Sequence, residues 1–431
     1  MTAPPAFRVD SANGETVLGS EYDNMLACIR CGLCLTSCPT YVLSLHESEG
    51  PRGRVGIARA LAEGHLQITP DLVEHELNCL VCDACSAVCP AGVHMDPLQV
   101  VLRETLEVTQ AARRPPRERL LRALVFGWLF MDMRRFRAVA RLMWLYQRSG
   151  ARWLARKLGI LKVLKLADAE ALLPDMPAEF FVPRGESCGE GTDAAALFAG
   201  CVMSTALAEV DRATLRVLQR AGLRVESPVG QGCCGALHGH SGDPRFRELA
   251  RRNIAAFERT EGPIVVNSAG CGAMLKDYAH HFRADPVWAE RARAFSARVR
   301  DVSQVLCDRD LAGGTVEPTS VVYQDACHLL HAQRVSREPR ELLRRIQGVD
   351  LKEIAEPGLC CGSAGVYNVT NPVQANALQR RKLDHALAPS PDVIVTGNPG
   401  CLLQLRAGLG ERHSSVRVMH LVELLDQASA R

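Results

Sequence analysis

Two cysteine runs near the N-terminus share one spacing, Cys-x2-Cys-x2-Cys-x3-Cys followed by proline. That spacing binds [4Fe–4S] clusters in bacterial two-cluster ferredoxins, in which the fourth cysteine of each run ligates the other cluster. Soft thiolate ligands select iron–sulfur clusters or zinc over hard cations. We therefore predict a first [4Fe–4S] cluster on Cys28, Cys31, Cys34 and Cys89, and a second on Cys79, Cys82, Cys85 and Cys38.

The residues around these cysteines suit a chain that coils tightly about a cluster. Gly32 and Ala84 lie inside the loops, where bulk would obstruct the approach of the backbone. A proline follows the fourth cysteine of each run, and we expect it to stop the local helix and turn the chain away. Between the runs, Arg52 and Arg54 either pair with the negative charge of a cluster or lie on a solvated helix start.

Two other interpretations of the runs remain. Structural zinc sites usually pair two Cys-x2-Cys hooks, a form that a run of three cysteines plus one does not have. Clusters that only stabilise the fold are the second alternative. An exchange of ligands would hold the two clusters close together, and this favours their use in electron transfer.

The second half of the chain contains an internal duplication with four cysteines in each copy. The offsets agree, since 32 positions separate Cys201 from Cys233 and 33 separate Cys327 from Cys360. In each copy the cysteines follow short apolar strands that alternate with helical periods, and this predicts an α/β fold with ligands at the carboxyl ends of the strands. The two sets are Cys201, Cys233, Cys234 and Cys271, and Cys327, Cys360, Cys361 and Cys401.

Each set could supply the four soft ligands of a further cluster or of another metal centre. Neighbouring cysteines, as in the Cys-Cys-Gly of each copy, rarely form a disulfide with each other because the geometry is strained. Buried cysteines that pack as small apolar side chains are the alternative. Nearby histidines could take up protons during a reduction, or could be ordinary loop residues; they are His238, His240, His328 and His331.

A basic, tryptophan-bearing segment joins the two halves. Between Arg113 and Lys165 fifteen lysines and arginines outnumber two acidic residues, and three of the four tryptophans lie there. The periodicity predicts amphipathic helices. Such helices suit the surface of an anionic membrane, and they equally suit packing on the chain's own domain or on a partner subunit. No nucleic-acid recognition motif accompanies the basic residues, so we expect no nucleic-acid partner.

The composition is typical of a cytoplasmic metalloprotein. The 431 residues carry a formal net charge of +3 and include 18 cysteines, which in a reducing compartment indicate metal binding before disulfides. The N-terminal residues do not have the form of a secretory signal, and no apolar stretch of about 18 residues predicts a transmembrane helix. We therefore expect a cytoplasmic location, with peripheral contact at the inner face of the cell membrane as a further option.

These features together resemble the iron–sulfur subunit of bacterial glycolate oxidase over nearly the whole chain. The stretches that carry the resemblance are CIRCGLCLTSCPTY, GPRGRVGIARALAEG, NCLVCDACSAVCPAGV, DACHLLHAQR and CCGSAGVYNVTNP. The resemblance implies a complex that oxidises glycolate to glyoxylate, and commonly D-lactate to pyruvate. It implies that a flavin subunit takes the hydride, while this chain passes electrons to a membrane acceptor such as a quinone.

Two sequence features refine that expectation. No Gly-x-Gly-x-x-Gly follows a predicted strand, so the FAD is expected on a partner subunit. Related heterodisulfide reductase subunits end the repeat in Cys-x-x-Cys, whereas Met274 and Gln404 stand at those positions here, which disfavours a five-cysteine cluster. The alternatives are the equivalent subunit of another dehydrogenase, such as anaerobic glycerol-3-phosphate dehydrogenase, a heterodisulfide-reductase-like catalytic subunit, and an assembly scaffold.

The expected architecture is a multidomain α+β protein. Residues 1–110 would form a helical ferredoxin-like domain with two [4Fe–4S] clusters, and residues 111–190 a basic amphipathic helical linker. Residues 191–315 and 316–431 would form the first and second Cys-Cys-Gly repeats of a duplicated α/β cysteine-rich domain. We expect the two copies to form one pseudo-twofold unit.

Overall fold

The computed structural model describes residues 17–111, 113–160, 170, 173–309 and 311–429. Over these residues the chain forms a helical N-terminal unit, a helical segment that follows it, and two largely parallel sheets with flanking helices. This arrangement confirms the predicted fold class. None of the helices in the described ranges is long and apolar enough to cross a membrane.

The N-terminal unit packs short helices around one long helix. The helices are α1 (Tyr22–Leu26), α2 (Pro39–Ser44), α3 (Pro51–Ala62), α4 (Pro70–Leu77), α5 (Ala84–Ala87) and α6 (Met95–Ala111), with 3-10 turns at Val17–Glu21 and Glu47–Glu49. The first three turns of α6 are buried, and its Leu98 and Leu102 share an apolar core with Val55 of α3. The two cysteine loops precede α2 and α6, so this core holds both loops in place.

Proline has different roles after the two cysteine runs. Pro39 is the first residue of α2, so the expectation that it would stop a helix there is wrong. The ring already fixes a helical φ, and the missing N–H has no partner to lose at the first position of a helix. After Pro90 the chain does turn, and Gly92 adopts a left-handed conformation with a φ of 71° before α6 begins.

The basic segment forms the helices that follow. They are α7 (Pro116–Arg122), a π-helical stretch (Ala123–Leu129), α8 (Met133–Arg148) and α9 (Ala151–Lys157). Asp132 caps α8, because its carboxylate accepts a hydrogen bond from the Arg134 backbone N–H at 2.7 Å. The later part of the predicted linker, at residues 161–169 and 171–172, lies outside the described residues and includes Lys165.

The first repeat is an α/β unit. Its strands are β1 (Ser187–Cys188), β2 (Asp193–Phe198), β3 (Leu223–Glu226), β4 (Ile264–Val266) and β5 (Val299–Asp301). Its helices are α10 (Ala208–Arg220), α11 (Ala236–Gly239), α12 (Phe246–Phe257), α13 (Ala269–His281), α14 (Ala289–Arg298) and α15 (Val302–Cys307). The sheet order is β1-β3-β2-β4-β5, in which only β1 is antiparallel to its neighbour.

The second repeat has a fully parallel sheet. Its strands are β6 (Thr315–Tyr323), β7 (Gln347–Lys352), β8 (Val393–Thr396) and β9 (Arg417–His420), in the order β7-β6-β8-β9. A π-helical turn (His328–Ala332) follows β6. The helices are α16 (Arg337–Arg344), α17 (Tyr367–Thr370), α18 (Pro372–Leu387), α19 (Pro399–Glu411) and α20 (Leu421–Ser429).

The two repeats share one topology and one core. In the first sheet β2 lies between β3 and β4, and in the second sheet β6 lies between β7 and β8. The strand order therefore reverses at β2 and at β6. Leu197 and Val225 of the first sheet pack in the same apolar cluster as Val322 and Val395 of the second. The copies also meet through the backbone, since the Ala269 N–H donates to the Gly397 carbonyl at 3.0 Å. The two repeats therefore form one packed unit.

Candidate functional site

The first cysteine run forms a loop after α1. Cys31 is exposed, whereas the cysteines on either side of it in the run are half-buried. Arg30 and Gly32 adopt left-handed conformations, with φ of 58° and 83°, and these curl the loop between the cysteines. A Cβ at position 32 would lie 2.8 Å from the Arg52 Nη1 atom. The left-handed backbone conformation therefore favours glycine there, and a Cβ would also require the flexible end of the Arg52 side chain to move.

The second cysteine run lines a cavity together with the last cysteine of the first run. Val81 and Asp83, with φ of 49° and 62°, curl this loop in the same way. The cysteines that line the cavity are Cys38, Cys79, Cys82 and Cys85. Cys89, the last cysteine of the second run, packs in an apolar cluster that also contains Cys28.

The thiols of this cavity fit a metal centre. Burial raises the pKa of Cys82 and Cys85 well above the ordinary value, and the charges of neighbouring cysteines raise it further. Free thiolates would therefore be unfavourable in the cavity. Coordination supplies the compensating positive charge and deprotonates the thiols. The donor set and its surroundings suit the iron–sulfur ligation that the spacing predicts.

Arg54 lies beside this cavity and not in solvent. The residue is only 1% exposed, and its guanidinium donates to Thr40 Oγ1 at 3.1 Å and pairs with Glu49 at 2.7 Å. Its Nη1 atom lies 4.0 Å from Cys38 Sγ. Burial alone would lower the pKa of Arg54, but nearby negative charges, with that of Cys79 the largest, raise it above its ordinary value. Of the two roles that the sequence leaves open, the structure supports pairing with the cluster site.

The cysteines of the two repeats converge on a second and larger cavity. They follow the parallel strands at the point where the strand order reverses, which is where open α/β sheets bind ligands. The carboxyl edges of the two sheets face each other across this cavity. Its lining includes all eight repeat cysteines: Cys201, Cys233, Cys234, Cys271, Cys327, Cys360, Cys361 and Cys401.

Sulfur atoms are close neighbours within each set. Cys361 Sγ lies 3.2 Å from Cys401 Sγ in the second repeat. In the first repeat a hydrogen bond with Cys201 raises the pKa of Cys233, and burial raises it further. Thiols this close and this buried suit coordination of a soft metal centre. The sequence predicted the two sets but not that both would face one cavity.

The positions that would complete a five-cysteine pattern carry no thiol. Met274 packs in the apolar core of the first repeat. Gln404 lies at the wall of the large cavity, where its Oε1 atom accepts a hydrogen bond from Asn368 Nδ2 at 3.1 Å. Each set therefore offers four cysteine ligands, as the sequence indicates.

The second cysteine run packs against cysteines of the second repeat. Cys82 packs in one apolar cluster with Cys327 and Cys360 of the second repeat, and Leu80 and Tyr367 complete its surroundings. Burial raises the pKa of Cys82, and Cys327 is the largest of the neighbouring charges that raise it further. No sequence pattern relates residues that lie so far apart in the chain, so the sequence analysis missed this contact.

Two of the four predicted histidines face the large cavity. His240 and His328 line it, whereas His238 and His331 donate through Nε2 to backbone carbonyls at 2.9 and 3.0 Å. Burial lowers the pKa of His328 to about 4, so its ring is neutral at physiological pH. The sequence analysis also missed Asp96 of α6, which lies 3.4 Å from His240 Nε2. The one available signal was a carboxylate in the first turn of the helix that follows the second cysteine run.

The helices of the basic segment pack on the first repeat with one face and leave another face exposed. Met131 shares an apolar cluster with Cys233. This packing is one of the alternatives that the sequence left open. The exposed large apolar side chains on these helices are Leu120, Leu121, Leu124, Trp128, Leu142, Leu145, Trp153 and Leu154. The segment therefore retains a surface in which apolar and basic side chains are interspersed.

Comparison with known families identifies each part of the chain in order. A 4Fe-4S dicluster domain matches residues 27–93, the linker region of the glycolate oxidase iron-sulfur subunit matches residues 117–173, and a cysteine-rich domain matches residues 195–276 and 321–406. A probable glycolate oxidase iron-sulfur subunit of Bacillus subtilis is 41% identical over 425 residues, which cover 94% of each chain. The chain belongs to the glycolate oxidase iron–sulfur subunit family.

Other relatives extend the comparison. The glycolate oxidase iron-sulfur subunit of Escherichia coli is 32% identical over 95% of each chain. Lactate utilization protein A of Oceanobacillus iheyensis is 30% identical over 53% of this chain and 95% of its own length. Family membership confirms the resemblance that the motifs indicate, and the dicluster match agrees with the iron–sulfur chemistry of the N-terminal cysteines.

Proposed function

We propose that the protein is the iron–sulfur electron-transfer subunit of a flavin-dependent 2-hydroxy-acid oxidase complex. The complex oxidises glycolate to glyoxylate, and D-lactate to pyruvate is its second candidate reaction. The names of the relatives support this substrate class. The observation that carries the proposal is the contact of Cys82 with the cysteines of the second repeat, because it joins the two cysteine-rich regions in series. A partner subunit holds FAD and takes the hydride, which a one-electron centre cannot accept.

In this proposal the eight N-terminal cysteines hold two [4Fe–4S] clusters, which when bound supply one-electron carriers. The position of Cys38 in the cavity of the second run supports the exchange of fourth ligands. The protein adds the buried charge of Arg54 and an apolar shell. The proposed ligand sets are Cys28, Cys31, Cys34 and Cys89 for the first cluster, and Cys79, Cys82, Cys85 and Cys38 for the second.

The flavoprotein partner docks at the first cysteine loop in this proposal. Cys31 is exposed there, and so are the apolar side chains of Ile29 and Leu33 on either side of it. Apolar side chains that remain exposed around a functional group are typical of a protein–protein contact. Cys38 and Cys82 of the second ligand set are buried, so in this proposal electrons enter through the first ligand set and leave toward the repeats.

The acceptor side lies at the repeats and the basic helices. The eight repeat cysteines bind a further [4Fe–4S] cluster or another metal centre in this proposal, since they converge in one cavity. A quinone or another membrane acceptor takes the electrons. The exposed tryptophan and leucine side chains of the basic segment support peripheral contact with the inner face of the cell membrane.

The proposal is tested by reduction with substrate. The full chain is reconstituted with its flavoprotein partner, glycolate is added without oxygen, and the clusters are followed by paramagnetic resonance. Reduced-cluster signals are expected with glycolate and not with glycerol 3-phosphate. Clusters that stay oxidised with glycolate would contradict the proposal, and reduction by glycerol 3-phosphate alone would favour the other dehydrogenase.

A further inference from the structure

Three side chains from three parts of the chain meet beside the large cavity. Asp96 lies in the first turn of α6, His240 follows α11 of the first repeat, and His328 begins the π-helical turn of the second repeat. One ligand atom of each residue lies within 4.8 Å of the other two. A π-helical turn is frequent at functional sites, and this one directs His328 toward the other two side chains.

Two of these side chains are buried and His240 is partly buried, and none of the facing polar atoms has a well-formed hydrogen bond. Asp96 is 3% exposed and His328 is 8% exposed. Asp96 Oδ1 and His240 Nε2 have no neighbour beyond their own long ion pair, and His328 Nε2 has no hydrogen-bond partner. The 3.4 Å between the Asp96 carboxylate and His240 Nε2 is longer than the roughly 2.7–2.9 Å of a good charge-assisted hydrogen bond. Buried polar groups are nearly always satisfied, so three unsatisfied groups that face one another indicate a ligand.

We propose that Asp96, His240 and His328 bind one divalent transition-metal ion. Two imidazoles and one carboxylate are ligands of zinc and of ferrous iron, and they differ from the all-sulfur ligands of the two cysteine regions. The ion would cross-link the N-terminal unit to both repeats, because one ligand comes from each of these three parts. Three protein ligands leave a coordination position open, and two of the ligands, His240 and His328, line the large cavity. The proposal stands on this geometry and is independent of the proposed function.

Zinc is the probe for this site, because it binds nitrogen and oxygen ligands more tightly than ferrous iron and would displace it. The full chain, purified and reconstituted without oxygen, is dialysed against Zn²⁺, and bound zinc and iron are measured by mass spectrometry. X-ray absorption at the zinc edge then gives the ligands. One zinc per chain is expected, with nitrogen and oxygen neighbours at about 2.0–2.1 Å, whereas zinc on the cysteines would show sulfur at about 2.3 Å.

Asp96→Asn and His240→Asn are expected to weaken zinc binding by about tenfold or more while the iron content stays unchanged. His331→Asn is the matched control, since His331 lies in the same π-helical turn and donates to a backbone carbonyl. Sulfur as the only zinc neighbour, no bound zinc in the wild-type chain, or undiminished binding in both variants would overturn the proposal. If a variant fails to fold, X-ray absorption of the zinc-bound wild-type chain still shows whether nitrogen and oxygen or only sulfur ligate the zinc.

Discussion

Arg54 is the residue that most directly couples the helices of the N-terminal unit to its cysteines. Its partner Glu49 is itself fixed, because His75 Nδ1 lies 2.7 Å and Asn78 Nδ2 lies 3.2 Å from Glu49 Oε1. The network holds a positive charge beside Cys38. A centre ligated by four thiolates carries negative charge, and a fixed cation makes its burial less unfavourable. The sequence showed a basic stretch but could not show that Arg54 points inward. Helical periodicity does not predict which acidic residue a buried arginine pairs with.

The Arg54→Met variant is expected to lose about 3–5 kcal/mol of stability, because Glu49 is left buried without its cation. Iron should be lost from the second ligand set as well, since metal binding and folding are linked. Thermal unfolding and iron analysis of the anaerobic protein measure both effects. Arg59→Met, which removes a surface pair with Glu63, is the control and should change neither. A wild-type Tm and iron content in Arg54→Met would contradict this account.

Gly32→Ala is expected to cost about 1–2 kcal/mol, because alanine is strained at a φ of 83°. The loop should also bind its cluster less tightly, and denaturant unfolding and iron content report the two effects. Gly56→Ala is the control. Gly56 lies in α3 with nothing within 4 Å of the place of a Cβ, so alanine there should stabilise by about 0.5–1 kcal/mol. Equal effects of the two substitutions would show that the left-handed conformation is not required.

At the scale of elements, the sequence predicts the repeats well and the basic helices in part. Apolar runs such as those of β4 and β8 are short and end before a helix whose first turn carries a cysteine, so the alternation of strands and helices could be predicted from the sequence. Amphipathic periodicity predicted α8 but could not show which of its apolar side chains pack on the first repeat. The packed and the exposed apolar side chains look alike in sequence. The π-helical turn at His328 has no local signature.

The exposed face of the basic helices leads to a prediction about membranes. The full chain should bind vesicles of anionic lipid more strongly than neutral vesicles, and added salt should weaken the binding. Trp153 is 63% exposed on α9. Burial of such a side chain contributes about 1.5–3 kcal/mol, so Trp153→Ser should weaken vesicle binding by about tenfold or more.

Sedimentation with vesicles measures this binding. Val373→Ser is the control, because Val373 is 79% exposed but lies on α18 of the second repeat and not on a helix of the basic segment. Equal binding of the wild-type chain to anionic and neutral vesicles would contradict membrane contact. Equal losses of vesicle binding in Trp153→Ser and Val373→Ser would also contradict membrane contact.

At the scale of the whole molecule, two contacts decide how the parts work together. The carboxyl edges of the two sheets face one cavity, and Cys82 of the N-terminal unit packs against Cys327 of the second repeat. The sequence showed the two repeats with their eight cysteines, and the eight N-terminal cysteines that we propose as ligands. It could not indicate how the three parts are docked, because docking depends on surfaces assembled from residues that are distant in the chain.

The large cavity predicts the metal content of the chain. Anaerobically purified protein should contain about twelve to sixteen iron atoms, because each further [4Fe–4S] centre adds about four to the eight of the N-terminal clusters. Cys361→Ser should lower the count by about four. Cys188→Ser is the control, since Cys188 lies in β1 outside the cysteine sets. About eight iron atoms in the wild-type chain, unchanged in Cys361→Ser, would show that the repeats hold no iron–sulfur centre.

The central claim is that the cysteine regions act in series, and Cys82→Ser tests it most directly. The variant and the wild-type chain are each assembled with the flavoprotein, reduced with glycolate without oxygen, and followed by paramagnetic resonance and by turnover with a quinone. The account predicts that the variant lacks the signal of the second cluster, keeps reduction at the first ligand set, and loses quinone turnover. Full quinone turnover in a variant that lacks the second-cluster signal would contradict it.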